Sequence, residues 1–416
     1  MDLKFNSHFN KVEMKKVILV LLIVLFAGHS FAQKYTGPST PQRIILNLTD
    51  SPSTSIAVTW RTMGEIPHPQ IKFAEISDWR ELDSTFSIAD ARSEKVKIDS
   101  STFAYHHSAL IKNLKPNTTY SYRVGGGSNW SELTQFTTAN SENTPFEFVF
   151  FGDPQVDVKD YVSRIFRKSF LAAPNAKFWL FIGDLMDKPL DQYWEELFYA
   201  GGFIYSMMPS VMVPGSHEYA YKLKDGTRIK GFTPLWNAHF TLPENGLKGM
   251  EEKSYFFDYQ GVRFFMLDAQ SRLDEQAKWL DSLLAETKNL WTIVAFHEPV
   301  FSFGRNRDEM STRNAFMSVI DKYSVDLVLS GHDHVYARSH KLKNGKAVSA
   351  KQKGTVYVIS QCGGKTYSLN TKYSELMKKT GTNIQLFQTI SINNRKLSYK
   401  SFTVTGKLFD SFELFK

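Results

Sequence analysis

Phe146-Glu147-Phe148-Val149-Phe150-Phe151-Gly152-Asp153-Pro154-Gln155 is the stretch on which the fold turns. Its first six residues are almost wholly apolar, and the run breaks off at Gly-Asp-Pro. An unbroken apolar run of this length predicts a strand covered on both faces. A carboxylate just beyond its end stands where α/β sheets gather ligands, outside the carboxyl ends of the strands.

The same grammar recurs along the chain. Short apolar runs at Phe178–Ile182, Val211–Val213, Phe264–Leu267, Ile293–Phe296 and Leu327–Leu329 alternate with helical stretches predicted at Val158–Ala172, Asp191–Leu197, Leu273–Leu284 and Thr312–Lys322. Four of the later runs also lead into polar groups: Gly183-Asp184-Leu185-Met186-Asp187, Gly215-Ser216-His217-Glu218, His297-Glu298-Pro299 and Gly331-His332-Asp333-His334. One Asp after Gly at a strand end is an ordinary turn or helix cap. Five such ends in order, with Asp153 and Asp184 directly after Gly and four His among them, demand a shared purpose. Buried carboxylates are costly unless they are paired or coordinate something.

The front of the chain reads differently. Ser55–Arg61 alternates around Trp60, and Gln70–Ala74, Lys95–Ile98, Tyr105–Leu110, Thr119–Val124 and Glu132–Thr138 follow as short strands between turn clusters. That spacing predicts a β-sandwich of about seven strands. Leu114-x-Pro116-x-Thr118-x-Tyr120 resembles the tyrosine corner of fibronectin type III domains. Thr138–Pro145 is polar and ends in proline, as a linker does. The C-terminal region returns to β structure at Thr355–Gln361, Asn383–Asn393 and Leu397–Val404, with a hairpin turn at Asn393-Asn394.

Residues 1–32 are expected to form a Sec leader. Met14-Lys15-Lys16 is a basic start, Val17 to Ala27 is apolar, and Ser30-Phe31-Ala32 offers small residues before a cut at Gln33. Met14 is the expected true start. The apolar run is short for a membrane span, so the mature chain is expected in the periplasm or outside the cell. The domain reading is therefore a leader at 1–32, a β-sandwich at 40–140 and an α/β domain at 146–416.

Composition narrows the chemistry. The chain has 416 residues, a formal charge of +8 and 42% hydrophobic residues, enough for two cores. The leader carries four lysines against Asp2 and Glu13, so the remainder is still moderately basic, which suits an anionic substrate. No nucleic-acid motif is present. Cys362 is the only cysteine, which excludes an internal disulfide and any multi-cysteine metal site. Metals would be held by oxygen and imidazole nitrogen, a set that favours iron, zinc or manganese.

The ordered motifs are similar to the calcineurin-like phosphoesterase signature GD, GDxx, GNHE, H, GHxH. The β-sandwich in front, Leu242-Pro243-Glu244-Asn245-Gly246 and GHDHVYAR at 331–338 resemble the bacterial purple acid phosphatases. The resemblance implies an α/β metallophosphoesterase sandwich of two mixed sheets flanked by helices, preceded by the all-β fibronectin type III-like domain. It also implies two metal ions that hydrolyse a phosphorylated small molecule by delivering hydroxide to phosphorus. Asp153 and His334 would hold the first ion, Asp184 would bridge, and His297 and His332 would hold the second. His217 would contact the phosphate and protonate the leaving oxygen. Glu218 and Asp333 would orient histidines, and Tyr336 would lie near the metals.

Three departures stand out. Purple acid phosphatases place a tyrosine ligand where this chain has Asp187, so the resemblance implies a colourless protein. The wider superfamily often has histidine where this chain has Gln155, which is either a neutral oxygen ligand or a hydrogen-bonding neighbour. Ser216 replaces the asparagine of GNHE, a ligand of the second ion. Three activities stay open: a phosphomonoesterase, a phosphodiesterase or nucleotide or pyrophosphate hydrolase, and a degenerate binding protein without catalysis. Arg305, Arg307 and Arg313 follow His297; Arg305 and Arg307 are candidate phosphate contacts, with a solvated loop as the other reading. His106 and His107 are expected on the surface of the β-sandwich, His239 in packing, and Cys362 as a packed small residue.

Overall fold

A computed structural model of the chain describes residues 37–78, 86–222, 226, 228–308 and 310–416. The expected leader, residues 1–32, lies outside these described residues. None of the described helices is long and apolar enough to cross a membrane.

Two sheets pack face to face to form the larger layer pair. The first carries, in spatial order, Leu408–Phe415, Lys396–Thr403, Leu386–Asn393, Phe146–Phe151, Trp179–Phe181 and Ser210–Met212. The second runs Tyr255–Tyr259, Val262–Met266, Trp291–Ala295, Leu327–Ser330, Thr355–Ile359, Tyr336–Lys343 and Lys346–Ala347, with Met377–Gly381 beside Tyr336–Lys343. Both are mixed, with parallel pairs at the centre. The last three strands run antiparallel, and the first turn between them follows Asn393.

Strand periodicity explains the unbroken apolar runs. Along Val262–Met266, Phe264 joins the core between the sheets while Phe265 joins the core under the helices. Ile293 and Val294, and Leu327 and Val328, divide in the same way. Alternate side chains of a strand leave opposite faces, so a sheet covered on both sides needs apolar residues at every position. Between the sheets Phe148 and Phe178 meet Phe264 edge-on at 5.3 and 5.5 Å. Outside, Leu273–Glu286 and Met310–Tyr323 cover one sheet, and Ser163–Ala172 covers the other through Phe166 on Phe151.

The N-terminal region is an all-β sandwich. One layer carries Gln42–Asn47, Ile56–Thr62, Phe103–Ile111 and Arg92–Lys97; the other carries Ser87–Asp90, Gln70–Glu75, Thr119–Gly126 and Asn129–Trp130, with Thr134–Thr137 alongside. The Lys115 N–H donates to the Tyr120 hydroxyl at 2.9 Å, closing the tyrosine corner.

The sandwich and the larger layers are joined in hydrogen bonding. Gln42–Asn47 lies parallel to Ser210–Met212, pairing Asn47 with Ser210, so the first sheet continues across the junction as ten strands. Asn47 Nδ2 donates to the Ser210 carbonyl, and Tyr122 Oη donates to the Ser206 carbonyl. His106 and His107 are buried, contrary to the surface expectation. Residues of the second region cover their sheet: His106 Nδ1 lies 2.9 Å from the Ala238 carbonyl and its ring meets His239 edge-on. Chain-distant packing of this kind leaves no local signal in a strand.

Candidate metal centre

Five strand ends converge at one edge of the two sheets. Asp153 follows Phe146–Phe151, Asp184 follows Trp179–Phe181, Ser216 and His217 follow Ser210–Met212, His297 follows Trp291–Ala295, and His332 and His334 follow Leu327–Ser330. Asp153, Asp184, His332 and His334 have φ of 43°, 47°, 68° and 50°. Four non-glycine residues in the left-handed region within one cluster store strain where side chains must be aimed. Gly331 permits the approach, since a Cβ there would sit 2.5 Å from Asp153 Oδ2.

Two groups of three ligand atoms result. Asp153, Asp184 and His334 form one, and Asp184, His297 and His332 the other; within each group the atoms lie within 4.8 Å of one another, and all five residues are buried. Asp184 belongs to both. Asp153 Oδ1 accepts the His332 N–H at 2.9 Å, while Asp153 Oδ2 has no partner. Gln155 Nε2 donates to Asp184 Oδ2 at 2.7 Å and lies 3.1 Å from His334 Nε2, and its Oε1 is buried without a partner. His297 Nδ1 lies 2.7 Å from the Ile182 carbonyl, which turns Nε2 toward Asp184 Oδ2 at 3.1 Å. A ring nitrogen facing a carbonyl carries the proton.

Electrostatics mark the same residues. Burial, with Asp184 alongside, pushes the Asp153 carboxyl up to about 8. Burial alone would raise Asp184, but His297 and His217 bring it well below the usual range. Burial holds His332 and His334 low and therefore neutral, as metal-binding imidazoles must be.

Ser216 and His217 stand at the mouth. Ser216 Oγ lies 3.3 Å from both Asp184 oxygens and donates to that carboxylate. His217 Nδ1 lies 2.6 Å from the Asp187 carbonyl, leaving Nε2 toward the opening, 3.9 Å from Asp184 Oδ2. Asp187 thus acts through its backbone.

Glu218 and Asp333 reach backbone amides rather than histidine rings. Glu218 accepts the N–H groups of Gly215, Asp184 and Leu185, tying two strand-end loops together. Asp333 accepts the amides of Phe303 and Gly304 and the Ser302 hydroxyl. A buried carboxylate has about four acceptor sites, and converging loop amides fill them. Tyr336 turns away from the cluster: its hydroxyl donates to Asp410 and meets Tyr399.

Of the arginines, Arg307 reaches the cluster, with Nη2 3.1 Å from His332 Nδ1 and its guanidinium 5.2 Å over the Tyr367 ring. Arg305 is exposed. Arg313 braces the loop through Asp308, Tyr373 and the Val300 carbonyl. Tyr367, edge-on to His334 at 5.3 Å, comes from a loop with no motif, and no feature of the sequence pointed to it. Cys362 is buried, with its N–H on the Gly152 carbonyl. A cleft of about 640 Å³ lined by Asp50, Asn140, Gln260 and Lys288 contains none of these groups, so chemistry rather than volume marks the site.

Comparison with known proteins agrees with this geometry. The family described as "Purple acid Phosphatase, N-terminal domain" matches residues 41–138, and "Calcineurin-like phosphoesterase" matches residues 146–336. The Fe(3+)-Zn(2+) purple acid phosphatase 12 of Arabidopsis thaliana is 25% identical, over 74% of this chain and 67% of that protein. A purple acid phosphatase of Glycine max is 23% identical, over 82% of this chain and 77% of that protein. The structure of a purple acid phosphatase from yellow lupin seeds superimposes with a TM-score of 0.75 at 18% identity, covering 91% of this chain and 75% of that one. The chain spans about two thirds of the length of several Arabidopsis relatives it matches.

Fold and site together define a metallophosphoesterase, a class of phosphoric ester hydrolases whose centre takes two metal ions. Within that class the chain resembles the purple acid phosphatases, whose N-terminal domain model matches residues 41–138.

Proposed function

We propose that this chain is an exported phosphatase that hydrolyses monoesters of small phosphorylated molecules. The observation that carries the reading is the pair of three-ligand groups sharing Asp184. Asp153, Asp184 and His334 would hold one ion; Asp184, His297 and His332 would hold the other. A half-turn of the Gln155 amide exchanges its nitrogen for its oxygen between Asp184 and His334, so Gln155 suits the first ion. Bound ions would polarise the phosphoryl oxygens and make hydroxide available near neutral pH. The Arabidopsis relative's Fe(3+)-Zn(2+) pair is the first to load.

The chain's own residues do the rest. As the ester P–O bond breaks and oxygen from water bonds to phosphorus, the departing oxygen needs a proton, which a His217 ring protonated on both nitrogens, with Nδ1–H on the Asp187 carbonyl, would give from Nε2. Arg307 offers a planar fork for phosphate oxygens, with its face held on Tyr367. Export rests on the leader at residues 1–32, which a periplasmic or secreted enzyme requires.

Metal content and phosphate release, measured on mono- and diester reporters, test the proposal. Two ions and faster monoester turnover are expected. Faster diester turnover would move the substrate to diesters, and a metal-free, inert chain would leave the binding-protein reading.

A further inference from the structure

We propose that Glu298, approaching from the His332 side, supplies the second ion with the oxygen ligand that Ser216 does not. This rests on the two-ion reading above.

Each three-ligand group is accompanied by buried oxygens without partners. Beside Asp153, Asp184 and His334 these are Asp153 Oδ2 and Gln155 Oε1. Glu298, which nears the other group at His332, likewise has one such oxygen, Oε2. The Glu298 side chain is 7% exposed, and its Oε1 stands 3.8 Å from His332 Nδ1. That ring nitrogen also faces His297 Nε2 at 3.3 Å, so Glu298 approaches the group from the His332 side. Gln270 Nε2 donates to Oε1 and steadies one oxygen while the other stays unpaired. Arg307, the cation at this spot, has Nη2 on His332 Nδ1 and its face on Tyr367.

Ser216 cannot fill the same role well. It offers a neutral hydroxyl on a short stem, and that hydroxyl already donates to Asp184. Without Glu298 the second ion would have two neutral imidazoles and a share of one carboxylate. A full carboxylate suits iron, zinc or manganese better than a hydroxyl does. A buried carboxylate oxygen that receives no donor is what a cation satisfies. Glu298 follows His297 directly and precedes Pro299, so the strand end that aims one ligand also aims the other, and the proline restricts the backbone there.

The test uses the full chain, stripped with chelator, reloaded with Zn²⁺ or Mn²⁺, and followed by elemental analysis, titration calorimetry and thermal melting. The natural chain is expected to hold about two equivalents. Glu298→Ala should keep the tighter equivalent and bind the weaker about 10- to 100-fold less well. Ser216→Asn in the Glu298→Ala background should restore the second equivalent, which loss of a merely structural carboxylate would not permit. If Glu298→Ala fails to fold, Glu298→Gln carries the test, with a smaller loss at the second ion and an unchanged metal-free melt. Two equivalents at natural affinity in the Glu298 variants would overturn the inference and leave the two-ion reading intact. No metal in the natural chain would overturn both.

Discussion

Two charged clusters among the described residues, one part-buried and one buried, are built to opposite rules. At the junction of the two regions, Arg43 and Arg61 meet Asp191 and Glu195. Both Asp191 oxygens and Glu195 Oε2 receive guanidinium N–H groups, and Arg43 also lies 2.9 Å from His239 Nε2. The lone orphan among these ion-paired side chains is a donor, Arg61 Nε. At the strand ends, Asp153, Asp184 and Glu298 gather with histidines and one arginine, and beside Arg307 Nε and His334 Nδ1 three acceptor oxygens, of Asp153, Gln155 and Glu298, lack a partner. Two cations against two anions make an adhesive; acids with idle oxygens make a receptacle for cations. The difference teaches that a buried charge reads as structural or functional by which partner is missing.

The widest breach of this contrast comes from Asp184→Asn. It removes the carboxylate common to both groups, and phosphate release should fall on the order of 10⁴-fold or more, with both ions lost by elemental analysis. An active, fully metallated variant would break the comparison. His217→Ala should lower kcat by about 10²- to 10³-fold while both ions stay, and less for esters whose leaving group needs no proton. Equal loss on all leaving groups would deny its role as the acid.

The junction should respond in stability alone. Asp191→Ala leaves two buried guanidiniums facing Glu195, a loss of about 3 kcal/mol in denaturant unfolding, with metal content unchanged. Loss of metal in that variant would mean the clusters are coupled. The gentlest test is pH. The folded, metal-free chain holds a proton on Asp153 up to about pH 8, whereas an unfolded aspartate releases it near its ordinary value. Between those limits the folded state binds an extra proton at Asp153, and above about pH 6.5, where the buried histidines with lowered values no longer titrate, metal-free stability should decline toward pH 8. Loading metal should flatten that decline, and an equally steep melt series with metal would count against the site.

Much of this was legible because the core is periodic. Phe146–Phe151, Ile293–Phe296 and Leu327–Leu329 showed as strands since both faces are buried, and the motif ends marked the converging edge. Gln42–Asn47 was missed, because its role depends on pairing with Ser210–Met212 far along the chain. Ser87–Asp90 is mostly exposed and carries no apolar face to betray it. Five cluster residues, Asp153, Asp184, His297, His332 and His334, were readable from strand-end position. Glu298 sat within a quoted motif without a role, because only spatial approach to His332 gives it one. Glu218 and Asp333 were read by residue type, yet what their carboxylates bind is set by loop backbones, which side-chain chemistry does not encode.

The ten-stranded continuation across the junction has a practical corollary. Residues 138–145 look like a hinge on paper, but Gln260 grips that segment through Asn140 and Thr144. A chain severed there would not yield two free-standing modules. The larger piece would present Ser210–Met212 as a raw edge with its backbone groups open to any passing strand, a recipe for clumping. It would also strand Asp191 and Glu195 without their arginines. The front sandwich is better regarded as a splint for the catalytic half than as a detachable arm.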